Sequence, residues 1–474
     1  MYKAFLWDFF SRFSNQLISF IVSVFLTRLL LPEEFGIMGI ALVVISFSTI
    51  FVDLGLGKAI IQQKEVSKVQ LSTVFFLNTG ISLLFTLACF LAAGPLASFF
   101  DQPALADVLQ VVSLSFVFYG LNVVPNALLY RQMNFKVISI ISTLSALFSG
   151  LIGIYMAKGG YGVWSLVVQN LSMSFLIFTL TFLYARWLPG LQLVFAEIRN
   201  MWRYSYRLFL SALLDNVFTR LDIFLIGKIF SPATLGYYTR AQSMDGIIKQ
   251  TSSASIVTVL FPYLSRVQSE TAIIRVLFIQ YLHIICFVSF FLSGLLYICA
   301  DSIFIMLFTE RWLKAAALFK IMTIAGFVYP VSALMVNILS SRGNSKDFLR
   351  AEIIKKLVIL PAYIFGFLLG LNGFVYTLAA VYILALFVNV LYVEKEIQVS
   401  FIKQVRIIFL YAVITLAVVV LVYMLRNFFP AVSLPGKILL EGSGFFLFFL
   451  LLSAITGTEG YKLVFRKIKS IAGQ

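Results

Sequence analysis

Five charged residues crowd into residues 215–241, DNVFTRLDIFLIGKIFSPATLGYYTRA: Asp215, Arg220, Asp222, Lys228 and Arg240. Guanidinium groups hold phosphate oxygens through paired hydrogen bonds. Carboxylates can pair with them or bind a coupling proton or cation. The sequence on either side is strongly apolar. A charge at the centre of a bilayer costs roughly 2.5–3.5 kcal/mol on insertion scales. Charges tolerated at that depth need water, a partner or a ligand to offset the cost.

The elements that must position these groups follow from periodicity. At 100° per residue, a helix over 205–231 gathers Ser211, Asp215, Asn216, Thr219, Arg220 and Asp222 on one half, and Leu210, Leu214, Val217, Leu221 and Phe224 on the other. A helix over 9–31 carries a stripe of Arg12, Asn15, Gln16, Ser19, Ser23 and Thr27. One over 36–57 puts Ser46, Thr49 and Asp53 on a shared face. One over 235–262 is polar nearly all round, with Arg240, Gln242, Ser243, Asp245, Lys249 and Gln250, and lipid does not tolerate such a surface. The expected arrangement is a hydrated chamber lined by these helices. Its candidate ligand-binding residues are Arg12, Asn15, Gln16, Asn216, Arg220, Arg240 and Lys249. Its candidate coupling or charge-pairing carboxylates are Asp53, Asp215, Asp222 and Asp245. Purely structural roles compete with these. Asp245 and Lys249 are spaced to pair along one helix, Arg220 and Asp222 can neutralise each other, and Arg12, Arg28 and Lys228 lie where long side chains reach the headgroups.

Composition fixes the class. The chain has 474 residues, of which 61% are hydrophobic and 12% charged, about half the charged share of a soluble protein. Spanning-length apolar stretches recur from end to end, so the expected fold is an all-α polytopic membrane protein with about 14 transmembrane helices. The first apolar stretch lacks a small-residue cleavage site and is read as a retained span. Three scattered cysteines, Cys89, Cys286 and Cys299, and the one histidine, His283, offer no disulfide framework and no metal cluster. His283 is read as a satisfied polar group within a span. No HExxH, GxSxG or P-loop pattern is present, and no cofactor is expected.

The formal net charge of +16 reflects topology rather than nucleic-acid binding. With both termini cytoplasmic, about 24 basic residues fall in inner loops and tails, against Lys158, Arg311, Lys314, Lys320, Arg426 and Lys437 outside. The loops are short, which places function within the helices.

The chain also resembles itself. LPEEFG at 31–36 matches SPATLG at 231–236, pairing Arg28 with Lys228, Pro32 with Pro232 and Gly36 with Gly236; further on, Asn126 pairs with Asn337, Arg131 with Arg342 and Gly162 with Gly373. Repeats with an even number of spans enter the membrane in the same direction. The expectation is therefore two six-helix bundles, 1–200 and 201–396, in a parallel pseudo-twofold repeat about the membrane normal, with a cavity where they meet. Residues 397–474 add two further transmembrane helices and a basic cytoplasmic tail.

TRLLLPEEFGIMGIALVVISFSTIFVDLGLGKAIIQ at 27–62 resembles the N-terminal signature of bacterial polysaccharide flippases of the colanic acid and teichuronic acid exporter type. RLDIFLIG, SPATLGYYTRA, FPYLSRVQ and RWLKAAALFKIM resemble that group's second-half landmarks. The group belongs to the multidrug/oligosaccharidyl-lipid/polysaccharide exporter superfamily. The resemblance implies a non-enzymatic flippase in the cytoplasmic membrane. By alternating access it would move a polyprenyl-diphosphate-linked glycan to the outer leaflet for surface polysaccharide synthesis. Arg12, Arg28, Arg220 and Arg240 are of the type that lipid II flippases of the superfamily use in their cavity. A proton or sodium ion is the candidate coupling partner, membrane lipids surround the chain, and glycan polymerase machinery is a candidate protein partner. Two alternatives stand beside this reading: a cation-coupled multidrug exporter of the same fold, and a membrane glycan polymerase or ligase. The multidrug members' carboxylate in the first span is missing here.

Overall fold

A computed structural model describes residues 2–246, 270–342, 345–429 and 433–472; the side chains of 2–13, 204, 345, 346 and 467–472 lie outside the description. Every regular element among the described residues is helical. The chain forms two compact units, Met1–Thr239 and Arg240–Gln474.

The first unit holds α1 (Tyr2–Leu29), α2 (Pro32–Asp53), the short α3 (Leu56–Gln62), α4 (Lys68–Phe99), α5 (Ala104–Arg131), α6 (Phe135–Lys158), α7 (Val163–Ala185), α8 (Arg199–Ile229) and residues 232–239 of α9, whose remaining described residues, 240–246, belong to the second unit. Local chemistry sets these boundaries. Pro32 opens α2, where its missing N–H is no loss, and the Leu31 N–H donates to Glu34 Oε2 at 2.6 Å. Ser67 and Gln70 form a reciprocal cap at the start of α4. Leu54 and Gly55 both take left-handed backbone, at φ 49° and 75°, and so end α2 and launch α3 at a new angle. Within the bundle α1 lies on α6, α4 on α5, and α2 on α5 and α8. The unit therefore takes in α8, which the repeat assigns to the second half.

The repeat's matched residues touch reciprocally in this unit. A Cβ added to Gly36 would stand 1.9 Å from the Pro232 carbonyl oxygen, and one added to Gly236 would stand 1.8 Å from that of Pro32. Only glycine permits backbones this close.

The second unit is built around α10 (Thr271–Phe308), with α11 (Leu313–Ile324), α12 (Val328–Ser341), α13 (Ser345–Phe365), α14 (Gly370–Ile397), α15 (Phe401–Asn427), α16 (Leu434–Ile455) and α17 (Glu459–Ala472). Phe278, Phe287, Phe290, Phe445 and Phe449 are buried in one core with α10 at its centre. His283 Nδ1 lies 3.1 Å from the Tyr411 hydroxyl, which also accepts the Gly460 N–H at 2.9 Å. The histidine is the satisfied polar group expected, tying α17 to α10 and α15.

Among the described residues, ten stretches are long and apolar enough to cross a membrane by length and composition. One of them, Asp347–Ile397, is broken at Gly366–Leu369 into α13 and α14. The polar α8 is not among the ten, and α1 and α9 are described over stretches too short to be counted. An all-helical chain with spans of this length throughout agrees with the expected polytopic fold, of which about fourteen helices was the sequence expectation.

Candidate functional site

The expected site residues fall into distinct environments. In α1, Asn15 Nδ2 donates to Ser142 Oγ of α6 at 2.8 Å, Gln16 is half-buried, and the Arg12 side chain lies outside the described part. In α8, Asn216 is turned to α2: Ser46 Oγ donates to Asn216 Oδ1 at 3.2 Å, and Asn216 Nδ2 reaches the Ser46 carbonyl oxygen at 3.4 Å. These two amides bind helix to helix.

The α8 charges separate. Asp222 is 6% exposed. Its Oδ2 accepts the Tyr238 hydroxyl of α9 at 2.5 Å, and its Oδ1 accepts the Ile223 N–H at 2.8 Å. Asp215 is exposed, and Arg220 is half-buried with no ion pair among the described residues. Lys228 pairs with Asp101 at 2.9 Å and lies 5.0 Å from the centre of the Phe99 ring, the partly exposed pairing of a span-end lysine. Arg240 and Asp245 are buried at 7% and 4% exposure, and the Arg240 guanidinium lies 5.4 Å from the centre of the Phe308 ring. Lys249 is outside the described residues, so its pairing with Asp245 is not described either.

Asp53 leads to a feature that the sequence reading missed. Its Oδ1 accepts the Gly57 N–H at 2.9 Å, fastening α3 to the end of α2. A cavity of about 420 Å³ opens beside it. Thr49 and Asp53 of α2, Lys58 and Ile61 of α3, and Tyr119, Asn122, Asn126 and Tyr130 of α5 line it. The four α5 residues are spaced 3, 4 and 4 apart, which is one face of a helix. That spacing was readable in the sequence. Two further cavities are apolar: one of about 530 Å³ in the second unit, bounded by Phe290, Tyr297, Phe327, Phe387 and Ile408, and one of about 320 Å³ in the first, bounded by Val43, Phe47, Phe85 and Phe224.

Among the described residues no group of acidic, histidine and cysteine side chains could hold a metal ion. The chain is, among the described residues, an all-helical, multi-pass membrane protein that carries guanidinium, amide and carboxylate groups within its helices. Residues 25–317 match the family described as polysaccharide biosynthesis protein, and the chain belongs to that family. It is 23% identical over 345 residues, 72% of this chain and 70% of the other, to the lipopolysaccharide biosynthesis protein WzxC of Escherichia coli (strain K12). It is 29% identical over 258 residues, 54% of this chain and 52% of the other, to the succinoglycan biosynthesis transport protein ExoT of Rhizobium meliloti (strain 1021). The fold matches that of the lipid II flippase MurJ in an inward closed conformation, with a TM-score of 0.75 at 14% identity, covering 96% of this chain and 100% of that one.

Proposed function

We propose that this chain is a flippase that carries a polyprenyl-diphosphate-linked oligosaccharide from the cytoplasmic to the outer leaflet. One observation carries the reading beyond family membership: Arg220 sits half-buried in α8 with no ion pair among the described residues. An unneutralised guanidinium in a membrane protein is costly unless a ligand meets it. A diphosphate supplies that ligand, because its oxygens accept the guanidinium's parallel donors. The glycan head is too polar for hydrocarbon, whereas the prenyl tail can stay in lipid while the head crosses. The excess of Lys and Arg in one set of loops supports cytoplasmic termini and residence in the cytoplasmic membrane. The short loops and the absence of nucleophile or metal motifs in the sequence favour transport over catalysis.

Cells lacking the chain separate this reading from its rivals. A flippase predicts complete lipid-linked repeat units held on the cytoplasmic face. A polymerase or ligase predicts single units already facing outward. A multidrug exporter predicts altered drug sensitivity with normal surface glycan. Within the flippase reading, Arg220→Ala and Arg220→Glu both insert and both abolish surface polysaccharide; full export by well-expressed Arg220→Glu removes Arg220 from the mechanism.

A further inference from the structure

The cavity beside Asp53 is a constructed feature. Its α3 wall is amphipathic over about two turns. Leu56, Ala59 and Ile60 are buried against Val74, Phe75 and Val124, which leaves Gly57, Lys58 and Ile61 on the cavity side. Arg131 clamps the far end of that helix, donating to the carbonyl oxygens of Ile60 at 2.9 Å, of Gln63, and of Lys64 at 2.5 Å. The Ile60 carbonyl would otherwise be an orphan of the helix C-terminus, and those of Gln63 and Lys64 belong to the turn that leaves it. The near end is held by the Asp53 carboxylate and by Ser205 Oγ, which donates to the Gly55 carbonyl oxygen at 3.1 Å. A wall fixed at both ends can present side chains in a set geometry.

What it presents is unsatisfied. The side chains of Lys58, Tyr119, Asn122, Asn126 and Tyr130 make no hydrogen bond to any described residue, and Asn122 Oδ1 is fully buried without a partner. A buried amide oxygen left unpaired costs roughly 1–3 kcal/mol. That oxygen is closed off from the cavity itself, so the groups left for a ligand or water are the other unbonded side chains of the lining.

The lining chemistry selects the ligand. Two asparagines offer both donors and acceptors, as vicinal hydroxyls require. Two tyrosines frame them along α5, with ring faces for apolar C–H edges and hydroxyls for hydrogen bonds. The formal charges are one lysine and one carboxylate, so the cavity does not concentrate positive charge as a diphosphate site would. Its volume lies within the range of small-molecule sites, roughly 300–1,000 Å³. The neighbouring loop residues Lys64, Lys68, Arg131 and Lys136 belong to the basic set that marks the cytoplasmic side.

We infer that this cavity is a glycan subsite, taking sugar rings of the cargo on the cytoplasmic side through Asn122 and Asn126, with Tyr119 and Tyr130 packing on the rings. The inference rests on the flippase reading and adds to it where the sugars bind, apart from the diphosphate.

The test measures binding to the purified full-length chain of two probes: the lipid-linked repeat unit extracted from cells lacking the chain, and bare undecaprenyl diphosphate. The wild type binds the glycosylated probe at least about tenfold more tightly than the bare one. The Asn122→Ala/Asn126→Ala double variant loses that advantage and keeps its affinity for bare undecaprenyl diphosphate. If the double variant does not fold, Asn126→Ala alone carries the same comparison, and Tyr119→Leu repeats it from the aromatic side. A variant that keeps the full preference, or weakens on both probes alike, overturns the inference. A wild type that binds both probes equally overturns it too and leaves the flippase reading standing. A wild type that binds neither overturns the flippase reading itself.

Discussion

Asn126 and Asn337 occupy matching positions of the internal repeat, as do Arg131 and Arg342, yet the two regions do opposite work. In α5, Asn126 belongs to a polar face over a cavity, and Arg131 caps the helix that walls it. In α12, Asn337 is 9% exposed and its Nδ2 is consumed by the Ala333 carbonyl oxygen at 2.7 Å. Arg342 there donates to Glu396 Oε1 at 3.0 Å and to Thr271 Oγ1 at 3.1 Å, a bolt between helices. The positions matching Tyr119, Asn122 and Tyr130 are Pro330, Ala333 and Ser341, so the polar face has no counterpart in α12. The cavity bounded by Phe290, Tyr297, Phe327, Phe387 and Ile408 in the second unit is apolar, suited to hydrocarbon and to little that needs a hydrogen bond. The repeat preserves packing where both halves need it, at Pro32/Gly36 and Pro232/Gly236, and diverges where only α5 lines a polar cavity.

The comparison can be broken in order of expected effect. Arg131→Ala removes the charge-assisted donors to three carbonyls, each worth roughly 1.5–3 kcal/mol when retained. Thermal unfolding should fall markedly and surface polysaccharide should be lost; an unchanged midpoint would show that the clamp is idle. Gly36→Ala and Gly236→Ala should cost alike, about 1–3 kcal/mol or more, since each added methyl meets the opposite backbone carbonyl. Unequal costs would contradict the reciprocal contact. Tyr238→Phe removes a donor from the buried Asp222 carboxylate and should cost roughly 1–3 kcal/mol in a denaturation series. Asn126→Ala should leave stability within about 0.5 kcal/mol while lowering export, and Asn337→Ala should leave export intact. The reverse pattern would place the site in the other half. Lys228→Gln should change stability by less than about 1 kcal/mol, because its pair with Asp101 is solvent-exposed.

The helices were legible in the sequence because their signal is local. Apolar length, Pro32 and Pro232 at helix starts, and the repeat need no tertiary information. Part of the polar chemistry was legible too, because the stripes on α1 and α8 follow from 100° periodicity. Partners were not. Asp222 finds Tyr238 across the bend between α8 and α9, and helical spacing does not continue through a bend. Asn15 and Asn216 pair with Ser142 and Ser46, which are distant in sequence. The α5 face from Tyr119 to Tyr130 had a readable spacing, but its meaning depends on the left-handed break at Leu54 and Gly55, which turns α3 to close the cavity.

The most direct test of the central claim places the purified chain in vesicles carrying the extracted lipid-linked repeat unit in both leaflets and adds membrane-impermeant periodate. The account predicts that the inner-leaflet glycan, protected in protein-free vesicles, is consumed when the chain is present, and that Arg220→Glu restores the protection. Protection that persists with the wild-type chain, folded and inserted, would contradict it.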